Sequence, residues 1–168
     1  MDAPTLHTAR LTLRGIQPGD LDALAAIYAD AEVARYLSVG VRTRERTAAA
    51  LEAYRAEWRE RGYGVWAVEA RDTQALLGMC GFVERAELGY ILAWAAWGRG
   101  IATEAARAGL RYGFETLGWE RIGAGALRSN QGSLRVLEKL CMRPAPNAYF
   151  DDNGGAWFEL TREAFAQG

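Results

Sequence analysis

Between Glu87 and Ala105 the sequence passes from a strand-like stretch, Glu87-Leu88-Gly89-Tyr90-Ile91-Leu92, through Ala93-Trp94-Ala95-Ala96-Trp97-Gly98-Arg99-Gly100, into a helical one opening at Ile101-Ala102-Thr103-Glu104-Ala105. A strand that feeds a helix through glycines has few structural solutions. Gly98 and Gly100 admit backbone conformations closed to other residues and leave no side chain to obstruct a ligand. The loop N–H groups and the first helical turn then point outward, with the partial positive charge of a helix start. Such an end cradles a pyrophosphate, and Arg99 can add a charge-assisted contact. The same two glycines would also serve a tight turn with no ligand. Two other nucleotide signatures do not fit: GxxxxGK[ST] is absent, and the stretch Gly98 to Thr103 lacks the third small residue of GxGxxG.

The rest of the chain narrows the function classes. With 168 residues, 50 % hydrophobic and 24 % charged, the expectation is one domain, 1–168, burying roughly 70 % of its unfolded surface. No run approaches the roughly 18 apolar residues of a membrane span. The opening, MDAPTLHTAR, lacks a signal-peptide pattern, so a cytoplasmic location is expected. A net charge of −1 gives no footprint for general nucleic-acid binding. His7 is the only histidine, and Cys80 and Cys141 are the only cysteines. No zinc cluster is expected from that set, and a His-based triad would have to use His7.

Periodicity predicts the elements. Arg10 to Arg14 alternates polar and apolar with period two, a first strand. Pro18 suits the first helical position and Asp20 the positive helix end; Leu21, Leu24, Ala25 and Tyr28 then mark one helical face. A second helix runs from Thr43 to about Arg61, with Leu51, Tyr54 and Trp58 on its buried stripe, and Gly62 stops it. Tyr63–Ala70 and Ala75–Val83 form a hairpin, and Glu87 to about Leu92 follows as a third strand. A small-residue helix from Ala102 to Leu117 ends at Gly118, with Gly109 and Gly113 packed closely on a sheet. Arg121–Leu127 is a strand, Asn130–Leu140 a helix and Ala156–Thr161 a last strand. The predicted fold class is an α/β sandwich around a mixed sheet.

A second constellation is the helix start Asn130-Gln131-Gly132-Ser133, where Asn130 is a good N-cap and Ser133 falls in the first turn. An ordinary capped helix with Leu134, Leu137 and Leu140 in the core would read the same way. Together the two stretches resemble the GNAT superfamily of N-acetyltransferases, most closely its ribosomal-protein N-terminal acetyltransferase (RimJ/RimL-like) branch. Trp97-Gly98-Arg99-Gly100-Ile101-Ala102 fills the superfamily's Gln/Arg-x-x-Gly-x-Gly/Ala phosphate loop. Trp97 to Ala105, the Asn-x-x-Ser helix start, Val136 to Leu140 and the opening Thr8-Ala9-Arg10-Leu11-Thr12-Leu13-Arg14 are similar to that branch.

The resemblance implies a mostly antiparallel sheet flanked by helices, with Glu87–Leu92 and Arg121–Leu127 as a splayed parallel pair. It implies acetyl-CoA as cosubstrate and a CoA thioester attacked directly by an amine acceptor, peptide or small molecule. By position, the Ile91–Leu92 backbone would hold the pantetheine arm, residues Trp97, Gly98, Arg99, Gly100, Ile101, Ala102 and Thr103 would take the pyrophosphate, and Asn130 would contact the pantetheine region. An α-amine with a pKa near 8 costs roughly 1.4 kcal/mol to deprotonate at pH 7, a lysine amine about 4.6. Glu87 is the candidate base, and Ser133 is placed to orient or protonate the departing thiolate. Tyr36, Trp58, Tyr149 and Trp157 are candidate acceptor-lining aromatics.

Leu140-Cys141-Met142 stands where the family has Leu-Gly-Phe, so the helix must end in a strained left-handed residue or finish differently. Cys141 reads as a small core residue, with a place near the CoA end as the second reading. A homodimer is compatible with the sequence, as is a different class of function, a non-catalytic acyl-CoA sensor or scaffold.

Overall fold

The computed structural model describes residues 2–168. Eight strands form one sheet in the order β1-β2-β3-β4-β5-β6-β8-β7: β1 Leu6–His7, β2 Leu11–Arg14, β3 Val65–Ala70, β4 Leu76–Glu84, β5 Glu87–Leu92, β6 Arg121–Leu127, β7 Arg143–Ala145 and β8 Gly155–Thr161. Every neighbouring pair is antiparallel except β5–β6. The helices are α1 Leu21–Ala29, α2 Ala31–Ala34, α3 Arg44–Arg61, α4 Ile101–Arg111, α5 Gln131–Lys139, α6 Ala148–Asp152 and α7 Arg162–Ala166. No helix of the described residues is long and apolar enough to cross a membrane.

Period-two burial splits the core between the two faces of the sheet. Leu11, Leu13, Trp66, Val68, Cys80, Phe82 and Leu88 join Ala105, Ala106 and Leu110 of α4 and Leu137 of α5 on one face. Val65, Ala67 and Met79 join Leu24, Ile27, Tyr28 and Leu51 of α1 and α3 on the other. The predicted second helix forms as expected: the Thr43 side chain accepts from the Arg46 N–H at 3.3 Å, and Gly62 closes it in a left-handed conformation at φ 73°. Trp58 from its last turn reaches round the sheet end, its indole N–H donating to the Val65 carbonyl at 2.9 Å.

Three expectations are corrected. Pro18 opens a 3-10 turn that leads into α1 rather than α1 itself, and Asp20 serves the start of that turn while making no side-chain cap to α1. Its carboxylate takes two bonds from Arg14 at 2.9 Å and one from the Gln17 N–H at 2.8 Å, while Arg14 also reaches Glu69 at 2.9 Å. An ion network thus ties β2 and β3 to the entry of α1. The predicted Ala102–Leu117 helix is α-helical only to Arg111 and continues as a π-helical turn, Tyr112–Thr116. The widened turn sits where Gly113 meets the sheet: a Cβ there would stand 2.6 Å from Ile122 and 2.8 Å from Phe82.

The third correction is Cys141. It is exposed rather than in the core, and it ends α5 at φ 61°. Its N–H bonds to the Glu138 carbonyl at 2.9 Å and that of Met142 to the Leu137 carbonyl at 3.1 Å, the paired pattern of a Schellman end. The helix therefore keeps its left-handed terminus without glycine. A left-handed L-residue costs about 1–2 kcal/mol, partly offset in glycine by unfolded-state entropy of about 0.5–1. Cys141→Gly is expected to raise Tm by about 2–3 °C in a thermal melt; an unchanged or lower Tm would show that the strain is relieved elsewhere.

Candidate active site

β5 and β6 share a single register pair, Glu87 with Gly123, where the Gly123 N–H donates to the Ala86 carbonyl at 2.9 Å. Beyond it β5 runs on to Leu92 paired only with β4, and β6 to Leu127 paired only with β8. The strand ends part, and a cleft of about 670 Å³ opens between them. It passes through the sheet. On one side it is walled by Ser133, Val136 and Leu137 of α5; on the other it reaches Val33, Tyr36 and Leu37 around α2. A second cavity of about 690 Å³, between α4 and the C-terminal segment, holds Arg107, Phe114, Cys141 and Phe165 and none of the loop or strand-end residues. Cys141 thus lies away from the cleft.

The glycine loop lies at the mouth of the cleft. Gly98 and Gly100 have φ of 70° and 76°, the left-handed region where an L-side chain is strained. Gly100 caps α4, and the first amide to return to it is that of Glu104, at 3.1 Å. The N–H groups of Ile101, Ala102 and Thr103 therefore have no helical carbonyl to meet, and all three residues line the cleft with Trp97, Gly98 and Gly100. Trp97 secures the loop to the strand end, its indole N–H donating to the Leu92 carbonyl at 2.9 Å.

Arg99 departs from its expected place: its side chain is exposed and absent from the cleft lining. The cations that do line the cleft are Arg135 and Lys139 of α5. Their i,i+4 spacing, which puts both on one helix face, was the sequence signal for them.

Asn130 and Ser133 come together as the sequence implies. The Asn130 Oδ1 accepts from the Ser133 N–H at 3.1 Å and caps α5. Across the gap the Ser133 hydroxyl shares a 2.6 Å hydrogen bond with the phenol of Tyr90, a partner that sequence reasoning missed. Burial pushes the Tyr90 phenol up to about 12, against the lowering by its bond to Ser133, so it stays neutral at pH 7. Ile91 lines the cleft, but its carbonyl is turned into β4, where a Cβ on Gly78 would stand 2.1 Å from it. By strand alternation, the main-chain groups of Tyr90 and Leu92 are those that face the gap.

Glu87 lies at the closed end of the splay, outside the cleft lining. Its side chain shares a sheet face with Gly89 and Ile91. Gly89, between Glu87 and the lower rim of the cleft, carries no side chain of its own, and Val83 of β4 packs over it, a methyl carbon 3.0 Å from where a Cβ would stand. Burial raises the Glu87 carboxyl above the usual glutamate value, and the Glu84 charge adds to the shift.

The four candidate aromatics divide. Tyr36 lines the far mouth of the cleft, and Tyr149 is exposed. Trp157 lies over Gly123, where a Cβ would come within 1.9 Å of its ring. Trp58, only 3 % exposed, is a core residue and not an acceptor-lining group.

Compared with known proteins, residues 10–143 match the family model of the acetyltransferase (GNAT) domain. The chain belongs to the GNAT family. This GNAT acetyltransferase is 35 % identical over 144 residues to YoaA, an uncharacterized N-acetyltransferase of Bacillus subtilis, covering 82 % of the chain and 81 % of YoaA. It superposes on an acetyltransferase from Agrobacterium tumefaciens at TM-score 0.83 and 27 % identity, with 95 % of each chain covered. RimL, a ribosomal-protein α-N-acetyltransferase solved with coenzyme A, shares the fold at TM-score 0.81 and 16 % identity, over 96 % of this chain and 99 % of RimL. The mixed sheet with one parallel pair is the arrangement of these GNAT structures.

Proposed function

We propose that this GNAT enzyme transfers the acetyl group of acetyl-CoA to a primary amine that enters from the opposite side of the sheet. The observation that carries the reading is the cleft that passes through the sheet: two substrates can meet inside it without competing for one mouth. Acetyl-CoA supplies the activated thioester. On the α4–α5 side, the free amides of Ile101 to Thr103 and the cations Arg135 and Lys139 suit its phosphates. The main-chain groups of Tyr90 and the main-chain N–H of Leu92, whose carbonyl is held by Trp97, suit the pantetheine arm, with Asn130 beside them.

Ser133 would serve the departing sulfur. The Tyr90 phenol is more acidic than an aliphatic hydroxyl and is the natural donor of their shared bond, which leaves the Ser133 proton for the cleft. Glu87, outside the cleft lining, would take the proton of the acceptor ammonium through water. The far mouth, with Val33, Tyr36 and Leu37, would hold the acceptor. A protein N-terminal α-amine fits this chemistry with less demand on the base than a lysine amine, by about 3 kcal/mol at pH 7; a small-molecule amine remains the second acceptor class. A sensor that only binds acyl-CoA would have no use for the second mouth.

Calorimetric titration with acetyl-CoA tests the donor half. A micromolar Kd, about −8 kcal/mol, is expected for the wild type. Gly100→Trp should weaken it by about 100-fold or more, because the indole adds bulk to the cradle at a left-handed position. No wild-type binding would overturn the donor assignment. Acetyl transfer to a panel of N-terminal peptides and small amines tests the acceptor half, and no turnover on the whole panel despite tight binding would favour the sensor.

A further inference from the structure

We propose that Arg10 is a positioning residue for the phosphate loop, anchored by Glu104 of α4. The inference rests on the acetyl-CoA reading above. Glu104, in the first turn of α4, meets three donors from the turn between β1 and β2: the Thr8 hydroxyl at 2.6 Å, the Arg10 main-chain N–H at 2.8 Å and the Arg10 Nε at 2.7 Å. The same guanidinium extends over the loop. Its Nη1 donates to the Arg99 carbonyl at 2.9 Å, and its Nη2 lies against Gly100, 3.4 Å from where a Cβ would be. One side chain therefore joins the helix start to the carbonyl that lies between the two left-handed glycines.

Two physical consequences follow from this arrangement. Glycines at 98 and 100 give the loop the shape it needs but also the greatest freedom to leave it. A loop already fixed at Arg99 has less conformational entropy to lose when a ligand binds, which tightens binding without a new contact to it. Second, Glu104 is a carboxylate one turn from the amides that would meet phosphate. Burial would raise its carboxyl, but the bonds from Thr8 and Arg10 outweigh burial and hold it below the usual glutamate range. It is therefore ionised, and the adjacent guanidinium cancels a charge that would otherwise repel the phosphates. The two stretches involved, Thr8-Ala9-Arg10 and Thr103-Glu104-Ala105, are 94 residues apart between Arg10 and Glu104, and the mechanism otherwise gives them no role.

Arg10 is 51 % exposed in this pair, too exposed for the fold to depend on it, so variants should remain folded; equal melting temperatures check this. The test is calorimetric titration of CoA and of S-acetylpantetheine, which lacks the pyrophosphate, into wild type, Arg10→Gln and Glu104→Gln. Arg10→Gln should raise the Kd for CoA about tenfold and leave that for S-acetylpantetheine within twofold. Glu104→Gln separates positioning from bulk charge: it removes a negative charge near the phosphates, so a purely electrostatic role for Arg10 predicts tighter CoA binding, whereas loss of the anchor predicts weaker. Unchanged CoA affinity in Arg10→Gln, an equal loss for both ligands, or tighter CoA binding in Glu104→Gln would each overturn the proposal. If the wild type binds no CoA, the acetyl-CoA reading itself fails, an outcome distinct from those three.

Discussion

Glu87→Gln is expected to lower kcat for acetyl transfer by about 10²-fold or more, the usual contribution of a positioned general base, with the Kd for acetyl-CoA unchanged. The substitution is nearly isosteric and removes only the ability to accept a proton. Because burial and then Glu84 raise the Glu87 carboxyl, the acid limb of the wild-type pH–rate profile should lie above the ordinary glutamate value and should be missing in the variant. Stability moves the other way. A carboxyl whose folded pKa is above its unfolded value contributes stability that is fully present below the unfolded pKa and is lost as pH rises through the folded one. At neutral pH the ionised Glu87 is therefore unfavourable to the fold, and Glu87→Gln should melt at the same temperature as wild type or higher. A pH series of initial rates beside a thermal melt reads both. A variant that keeps wild-type kcat across the series would remove Glu87 from the role of base and return it to a strand-end charge.

Trp66→Ala is expected to have the largest effect on stability. Trp66 is fully buried and stands between Trp58, Tyr112 and Phe82, with ring centroids 4.7, 5.3 and 6.3 Å away. Its indole N–H donates to the Pro4 carbonyl at 2.8 Å. Truncation opens a cavity in a packed core, and about 3–5 kcal/mol is the usual cost; the Pro4 carbonyl also loses its donor. In a chain of this length that corresponds to a Tm lower by about 10 °C. Trp66→Phe, which keeps a ring but loses the N–H, should fall between. Since Trp66 packs by Gly109 of α4 and is not part of the cleft lining, acetyl-CoA affinity measured well below Tm should change little. A Tm loss under about 3 °C for Trp66→Ala would mean that the surrounding rings collapse into the space.

Much of this fold could be read from short stretches of sequence. The bounds of Glu87–Leu92 and Arg121–Leu127 match the strands as formed, because alternation and small residues act along a few positions. The helix start at Thr43, the Gly62 stop, the Asn130 cap and the special backbone at Gly98 and Gly100 were legible for the same reason: each is a local backbone requirement. The short elements escaped. Leu6–His7, Ala31–Ala34, Arg143–Ala145, Ala148–Asp152 and Arg162–Ala166 are each five residues or fewer, too few for a period to show. Arg143–Ala145 also contains Pro144, tolerated there because β7 is the edge of the sheet.

The candidate site was legible where it is a loop or a cap and illegible where it is a meeting of distant elements. Ser133 was read from its helix start, but Tyr90, 43 residues away, shares its hydrogen bond only because β5 lies beside β6. Arg99, beside the glycines in sequence, is exposed and outside the cleft lining, while Arg135 and Lys139 line it. By itself the sequence determined the type of the longer elements, the special backbone of the glycine loop before α4 and the Asn130 cap, since glycine and capping side chains act within one turn of the chain. Only the tertiary structure decided where the two parallel strands part, which face Glu87 shares with Gly89, and that Arg10 closes over the loop, because those depend on strand order and register, which distant residues set together.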